Sequence, residues 1–96
     1  MNGGYVILDL DGVDLYNAMD NSPPTNPNLG KMAQDAFLSG KPIFLYNCKI
    51  NGSVLSPFSA FARSVVTGEG INIVINIQNI YVLTIYPNGY WSRVEV

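Results

Sequence analysis

The chain has 96 residues, of which 48% are hydrophobic and 12% are charged, and its formal net charge is -2 with a pI near 4.6. A chain of this length folds as one small domain, residues 1–96, and its surplus of apolar residues predicts a surface for a partner. Five basic residues cannot form a face for nucleic acid or an anionic membrane, and a chain with no histidine and one cysteine excludes a zinc site and a His-dependent nucleophile.

The chain begins with MNGGYVILDL, which lacks a positively charged segment followed by a continuous apolar one. No secretory signal is therefore predicted. Every apolar run is far shorter than a membrane span, so no membrane insertion is expected.

Residues 5–14, YVILDLDGVD, resemble the first motif of the haloacid-dehalogenase-like phosphatases. In those enzymes the first carboxylate attacks phosphorus, and the second acts as acid and base beside a bound magnesium. The family also needs a Ser or Thr, a Lys and a later acidic pair. After Asp35 only Glu69 and Glu95 follow, each isolated, so the magnesium site cannot be completed. We expect a strand from Tyr5 to Leu10, turn chemistry after it, no catalytic residue and no cofactor.

Four aspartates lie close together in this part of the chain: Asp9, Asp11, Asp14 and Asp20. A structural calcium is conceivable, because carboxylates are its usual ligands, but the spacing does not follow the calcium-loop pattern with its bidentate Glu. Solvated or turn-capping roles are predicted, and a bound metal stays open as the alternative.

One helix is predicted after this segment. Asn26 is a candidate N-cap, Pro27 fits the first helical position and Gly40 ends the helix. The apolar residues recur at helical spacing: Leu29, Met32, Ala33, Ala36 and Phe37. This apolar face must lie on another element, and a sheet is the obvious candidate.

The rest of the chain predicts strands. Asn51-Gly52 is a strong signal for a two-residue hairpin, and Pro57 makes the second arm of that hairpin an edge, bulged or interrupted strand. Cys48 is expected to be a small buried side chain. The segments INIVINI, IYVLTIY and YWSRVEV predict three further strands. The expected fold is α+β, with one helix packed on an antiparallel sheet or meander of about five to six strands.

Turn lengths decide which residues face the core. A two-residue turn at Asn88-Gly89 would place Tyr86 opposite Trp91. The core face would then carry Tyr81, Leu83, Ile85, Val94 and Val96, and a mixed face would carry Trp91, Arg93 and Glu95. A two-residue turn at Gln78-Asn79 would place the alternating isoleucines on the side of Val82, whereas a three-residue loop would place them on the side of Leu83.

We favour the two-residue turn at Gln78-Asn79, which makes both sides of the sheet apolar. Because one helix can cover only one side, the second side is expected to meet another copy or another sheet. The residues predicted for this oligomer interface are Ile71, Ile73, Ile75, Ile77 and Val82. Aromatic residues around the last hairpin suggest a surface for a sugar or protein ligand, formed by Tyr86, Tyr90, Trp91 and Arg93, although cross-strand packing is the common alternative.

Residues 26–96 resemble small domains of bacteriophage fibre proteins, especially the head-fibre type. The resemblance is carried by the end of the helix with the following hairpin, AFLSGKPIFLYNCKING, and by the last strands, INIVINIQNIYVLTIYPNGYW. The resemblance implies a non-enzymatic virion appendage on the capsid exterior, usually a homotrimer. Its implied partners are capsid or other virion proteins and host surface glycans. Many fibres carry an anchoring segment or a coiled-coil shaft, and this sequence shows neither. The alternative is a monomeric or dimeric protein- or carbohydrate-binding module.

Overall fold

Two four-stranded sheets and one α-helix form the fold in the computed structural model, which describes residues 5–24 and 26–96. The elements are β1 (Val6–Asp14), a 3-10 turn (Leu15–Asn17), α1 (Leu29–Ser39), β2 (Ile43–Ile50), β3 (Ser53–Val54), β4 (Phe58–Ala60), β5 (Ala62–Thr67), β6 (Gly70–Ile77), β7 (Tyr81–Ile85) and β8 (Trp91–Glu95). The predicted α+β class, with a helix packed on sheet, is confirmed.

The N-terminal sheet contains β1 to β4 and is mixed rather than antiparallel. β1 runs parallel to β2, with Val6 opposite Ile43. The purely antiparallel expectation is wrong here because α1 lies between the two strands and returns the chain in the same direction. β1 is also longer than predicted, since it continues past an irregularity between Asp9 and Val13.

The predicted hairpin at Asn51-Gly52 is confirmed. Both residues have positive φ, 52° and 82°, and Ile50 pairs directly with Ser53. The predicted interruption at Pro57 is also confirmed, because the returning arm is divided into β3 and β4, which each pair with β2. Proline has no N–H to donate to the ladder, so pairing stops around it.

Helix α1 begins at Leu29, two residues later than the start predicted at Pro27. Asn26 stabilises the turn before the helix instead of capping it: its side-chain oxygen accepts from the Asn28 N–H at 2.9 Å. Gly40 ends the helix as predicted, with φ of 66°. The helix contacts β1 of one sheet and β5, β6 and β7 of the other. No helix in the described part of the chain has the length and hydropathy needed to cross a bilayer.

The meander sheet contains β5 to β8 in sequence order, and every neighbouring pair is antiparallel. Between β6 and β7, Ile77 pairs with Tyr81, which leaves a three-residue loop. The favoured two-residue turn is therefore wrong. Gln78 and Asn79 both adopt positive φ, and the Asn76 side chain accepts from the Asn79 N–H at 2.7 Å. The longer loop turns the isoleucine row toward the core with Leu83.

The loop between β7 and β8 is also one residue longer than predicted. Ile85, not Tyr86, lies opposite Trp91. The Gly89 N–H donates to the Tyr86 carbonyl oxygen at 2.9 Å, and Gly89 has φ of 90°. Proline suits the first central position of such a turn and glycine suits the left-handed position after it, so Pro87–Gly89 form a three-residue loop.

This one-residue difference exchanges the faces of β8. Trp91 and Arg93 lie on the core side, and Trp91 is 4% exposed. Val94 and Val96, which were predicted to face the core, are 66% and 71% exposed. The predicted core residues Tyr81, Leu83 and Ile85 are buried as expected.

Helix α1 packs directly on the β7–β8 loop. A Cβ atom at Gly30 would lie 3.0 Å from the Pro87 carbonyl oxygen and 3.1 Å from the Gly89 nitrogen. Only glycine permits this approach of two backbones. The start of the helix therefore holds this loop in place.

Candidate functional site

An open cleft of about 400 Å³ lies where the β5–β6 turn and the β7–β8 loop meet the segment that precedes the helix. It is lined by Asn21, Glu69, Tyr86, Pro87 and Asn88. The lining joins an aromatic ring and a proline ring with two amides and one carboxylate. Such a set can stack on an apolar surface and can hydrogen-bond to neighbouring hydroxyl groups.

The segment on one side of the cleft is fastened to β8. Ser22 and Trp91 exchange two backbone hydrogen bonds, of 2.7 and 3.0 Å. The Tyr86 hydroxyl donates to Ser92 Oγ at 2.9 Å, and Ser92 Oγ donates to the Asp20 carbonyl oxygen. The phenol of Tyr86 is therefore tied, through one hydroxyl, to the opposite wall of the cleft.

Several polar groups of the cleft remain available to a ligand. Asn88 Oδ1 accepts from the Tyr90 N–H at 3.0 Å, which leaves the two amide donors of Asn88 unused. Within residues 5–24 and 26–96, the Asn21 amide and the Glu69 carboxylate have no hydrogen-bond partner, and both residues are exposed. The cleft thus offers both donors and acceptors.

The structure divides the four residues predicted for a ligand surface. Tyr86 lines the cleft, and Tyr90 is exposed beside it. Trp91 is enclosed, and its indole N–H donates to the Pro23 carbonyl oxygen at 3.1 Å. A side chain enclosed in this way cannot present its ring to a ligand.

Arg93 is also engaged within the domain. Its Nε donates to the Leu15 carbonyl oxygen at 2.6 Å, and a terminal nitrogen donates to the Tyr16 carbonyl oxygen at 3.1 Å. Its guanidinium lies 5.1 Å from the centre of the Tyr81 ring, a favourable cation–π distance. Arg93 therefore clamps the 3-10 turn onto the sheet and does not join Tyr86 at the cleft.

The predicted oligomer interface is divided in the same way. Ile73, Ile75 and Ile77 are fully enclosed, with no exposed surface, so they cannot line an interface of this fold. Ile71 is partly buried against the core. Val82 lies on the opposite, outer face of the sheet, directly across from Val94.

The outer face of the meander sheet carries one charged residue, Arg63, among its strand positions. Its exposed and half-exposed branched residues are Val65, Val74, Val82 and Val94, and we refer to these four as the valine face. Val65 and Val94 are 52% and 66% exposed. The outer side therefore carries apolar residues, but they are valines rather than the isoleucine row predicted for it, and they alternate with polar positions such as Asn72, Asn76 and Thr84.

An aromatic group on the outer face of the N-terminal sheet was missed by the sequence analysis. The ring centres of Tyr5 and Phe44 are 4.9 Å apart, and those of Phe44 and Tyr46 are 5.3 Å apart. The sequence did contain a signal for this group: Phe44 and Tyr46 are spaced i, i+2 and so share one face of a strand whose other face is also apolar. Because the rings are tilted by 54° and 47°, they pack against each other and do not form a flat platform.

Two of the four aspartates, Asp9 and Asp14, bind backbone N–H groups and neighbouring polar side chains. Asp9 Oδ1 accepts from the Asp11 N–H at 2.8 Å and from Asn47 Nδ2 at 2.9 Å. Among the residues that the structure describes, no three His, Cys, Asp or Glu side chains are grouped so as to hold a metal ion.

Asp14 joins the end of β1 to the β2–β3 turn. Its carboxylate accepts from the backbone N–H of Tyr16, Asn51 and Gly52 at 2.8 to 3.0 Å. Burial acts to raise the pKa of Asp14, but these hydrogen bonds and the charge of Lys49 outweigh it and lower the pKa below its ordinary value of 3.8. The folded state therefore favours the ionised carboxylate.

A lowered pKa makes the stability contribution of Asp14 depend on pH. The contribution is fully present above pH 3.8, the ordinary pKa, and is lost as the pH falls through the lower pKa of the folded state. We expect Asp14→Asn to lower the melting temperature at neutral pH, and this difference to shrink below about pH 4. Thermal melts of both proteins across this range measure it. Asp11→Asn is the matched control, because no hydrogen bond to the Asp11 carboxylate is seen in the described residues; a constant difference for Asp14→Asn would contradict the assignment.

Cys48 is a buried free thiol, as predicted. Burial raises the pKa of the Cys48 thiol to about 11, and the negative charge of Asp14 adds to the shift. The thiol is therefore protonated and unreactive at neutral pH.

Comparisons with known protein families, with curated proteins and with solved structures found no match to this chain.

Proposed function

We propose that this chain is a non-enzymatic structural module that associates with further copies of itself through the valine face. The observation that carries the proposal is the combination of exposed valines with a single charged strand residue, Arg63, on that face. Association removes apolar surface from water without stripping water from many charged groups. A cluster of exposed apolar side chains with few charges around it is typical of an interaction site.

The arrangement of the valines suits packing against the valine faces of other copies. Val82 and Val94 are direct cross-strand neighbours, and the pair Thr84 and Ser92 follows them along the same two strands. Branched side chains are stiff and lose little rotamer entropy on packing. Ser92 Oγ is already engaged by the Tyr86 hydroxyl and the Asp20 carbonyl oxygen, so the contact is centred on Val82 and Val94.

The proposal extends to a virion appendage on the capsid exterior. It is supported by the resemblance of residues 26–96 to bacteriophage head-fibre domains, and by a polar surface rich in asparagine rather than in charge. In this role the chain forms a homotrimer and attaches to capsid or other virion proteins. The non-enzymatic part rests on the incomplete set of acidic residues, because after Asp35 only Glu69 and Glu95 follow, each isolated.

Light scattering on a sizing column, over a wide dilution range, tests the proposal. We expect the wild type to have about three times the 10.5 kDa mass of one chain, and Val94→Glu to be folded but monomeric because it places a charge at the contact. Val54→Glu is the matched control, since Val54 is 65% exposed and lies in the other sheet. A monomeric wild type, or a Val94→Glu variant that still assembles, would overturn the proposal.

A second candidate is a small monomeric or dimeric binding module, and the cleft around Tyr86 favours it. The two functions differ in their mass in solution. A binding module would not exceed twice the 10.5 kDa mass of one chain at any dilution and would still bind its ligand.

A further inference from the structure

We propose that the cleft binds a neutral sugar in its pyranose form, either free or at the end of an oligosaccharide. The site is formed by Asn21, Glu69, Tyr86, Pro87 and Asn88. This inference does not depend on self-association, because no residue of the valine face lines the cleft.

The chemistry of the lining matches the two kinds of surface on a sugar ring. One face of a pyranose presents C–H groups, which pack on the negatively polarised face of an aromatic ring and on a proline ring. Tyr86 and Pro87 provide these two surfaces. The edge of the sugar carries adjacent hydroxyl groups, each of which donates one hydrogen bond and accepts others.

The free polar groups of the cleft suit those hydroxyl groups. The Glu69 carboxylate only accepts hydrogen bonds, the unused amide N–H groups of Asn88 only donate, and the Asn21 amide can do both. A carboxylate and an amide together can bind two neighbouring hydroxyl groups. An apolar ligand would make no use of these groups.

The charge and the volume of the cleft indicate which sugars it can bind. Glu69 is the single charged residue of the lining, and the whole chain carries a net charge of -2, so an anionic sugar is disfavoured. A volume of about 400 Å³ lies at the small end of the range for ligand sites. The cleft therefore fits a terminal sugar unit rather than a long chain.

The walls of the cleft are held before any ligand arrives. A Cβ atom at Gly70 would lie 3.0 Å from Pro87 Cγ, so the β5–β6 turn is in contact with the β7–β8 loop. The backbone of Gly30 supports the same loop from the helix. Ser92 links Tyr86 to the Asp20 carbonyl oxygen, in the segment that precedes the helix. A site that is already ordered loses less entropy on binding, which favours recognition of a small ligand.

The test is an NMR titration of the isotope-labelled protein with maltose, lactose and chitobiose, and with sialyllactose as the anionic comparison. We expect at least one of the three neutral sugars to shift the signals of Asn21, Glu69 and Asn88, and sialyllactose to bind more weakly than lactose. Glu69→Ala should weaken binding about tenfold, since a hydrogen bond to a charged group is lost. Tyr86→Leu should weaken it further, while Tyr86→Phe keeps the ring face and should weaken binding less, through loss of the hydrogen bond to Ser92 alone.

Glu95→Ala is the matched control, because Glu95 is an exposed carboxylate that does not line the cleft. Its binding should equal that of the wild type, and Val94→Glu should also bind normally whether or not it assembles. If none of the three neutral sugars shifts the cleft signals, the proposal is wrong. Shifts that persist unchanged in folded Glu69→Ala and Tyr86→Leu would overturn it equally.

Discussion

Trp91→Ala is expected to lower the free energy of unfolding by about 3–5 kcal/mol, the range for removing a large buried aromatic side chain. Trp91 is 4% exposed, and its indole satisfies the Pro23 carbonyl oxygen. The substitution leaves a cavity in the core and removes the hydrogen bond that anchors this segment. Urea unfolding followed by circular dichroism is the appropriate measurement, because Trp91 is the only tryptophan available for fluorescence.

Tyr90→Ala is the control for this substitution. Tyr90 precedes Trp91 in the chain and is 37% exposed, so we expect a loss below about 1 kcal/mol. Trp91→Phe keeps a ring in the core but loses the indole donor, and its stability should lie between the wild type and Trp91→Ala. If Trp91→Ala proved as stable as Tyr90→Ala, the indole would be a surface group. That result would contradict the three-residue loop and favour the two-residue turn at Asn88-Gly89.

Ile75→Ala is expected to destabilise the domain by about 2–5 kcal/mol, because Ile75 has no exposed surface and lies opposite Leu83 in the centre of the meander sheet. Removing its branched side chain leaves a cavity that the sheet cannot close. The free energy of unfolding, from urea titration with Trp91 fluorescence, measures this loss. The same experiment tests the three-residue loop that follows β6.

Ile7→Ala provides a matched control, since Ile7 is also in a strand but is 52% exposed. Its expected loss is below about 1 kcal/mol. Equal small losses for Ile75→Ala and Ile7→Ala would indicate that the isoleucine row faces outward. That result would restore the interface first predicted for Ile71 to Ile77.

Most helices, strands and turns could be predicted from the sequence, because their causes lie within a few neighbouring residues. Asn51-Gly52 specifies a tight turn because both residues tolerate positive φ, and Gly40 ends the helix for the same reason. Pro57 divides a strand because it has no N–H to donate. Alternation of apolar residues identified β6, β7 and β8, since successive side chains in a strand point to opposite faces. It did not identify β5 as a strand of the meander, because residues 62–67 were predicted to continue the arm after Asn51-Gly52.

The candidate site was much less accessible to such reasoning. Tyr86 was identified from its aromatic neighbours, but Asn21 and Glu69 reach the cleft only because three separate segments meet there. Trp91 and Arg93 carry the same sequence signal as Tyr86, although they are structural. Whether an aromatic or basic side chain is exposed depends on the face it occupies, and the pairing register decides that face.

The sequence by itself determined one small α+β domain, its helix, its main turns and an excess of apolar strand surface. The tertiary structure decided the parallel pairing of β1 with β2, the two three-residue loops and therefore the face on which each residue of β6 and β8 lies. A loop of two or three residues costs similar free energy locally, so the choice is made by burial: the longer loops place the isoleucine row and Trp91 in the core, and leave the valines outside.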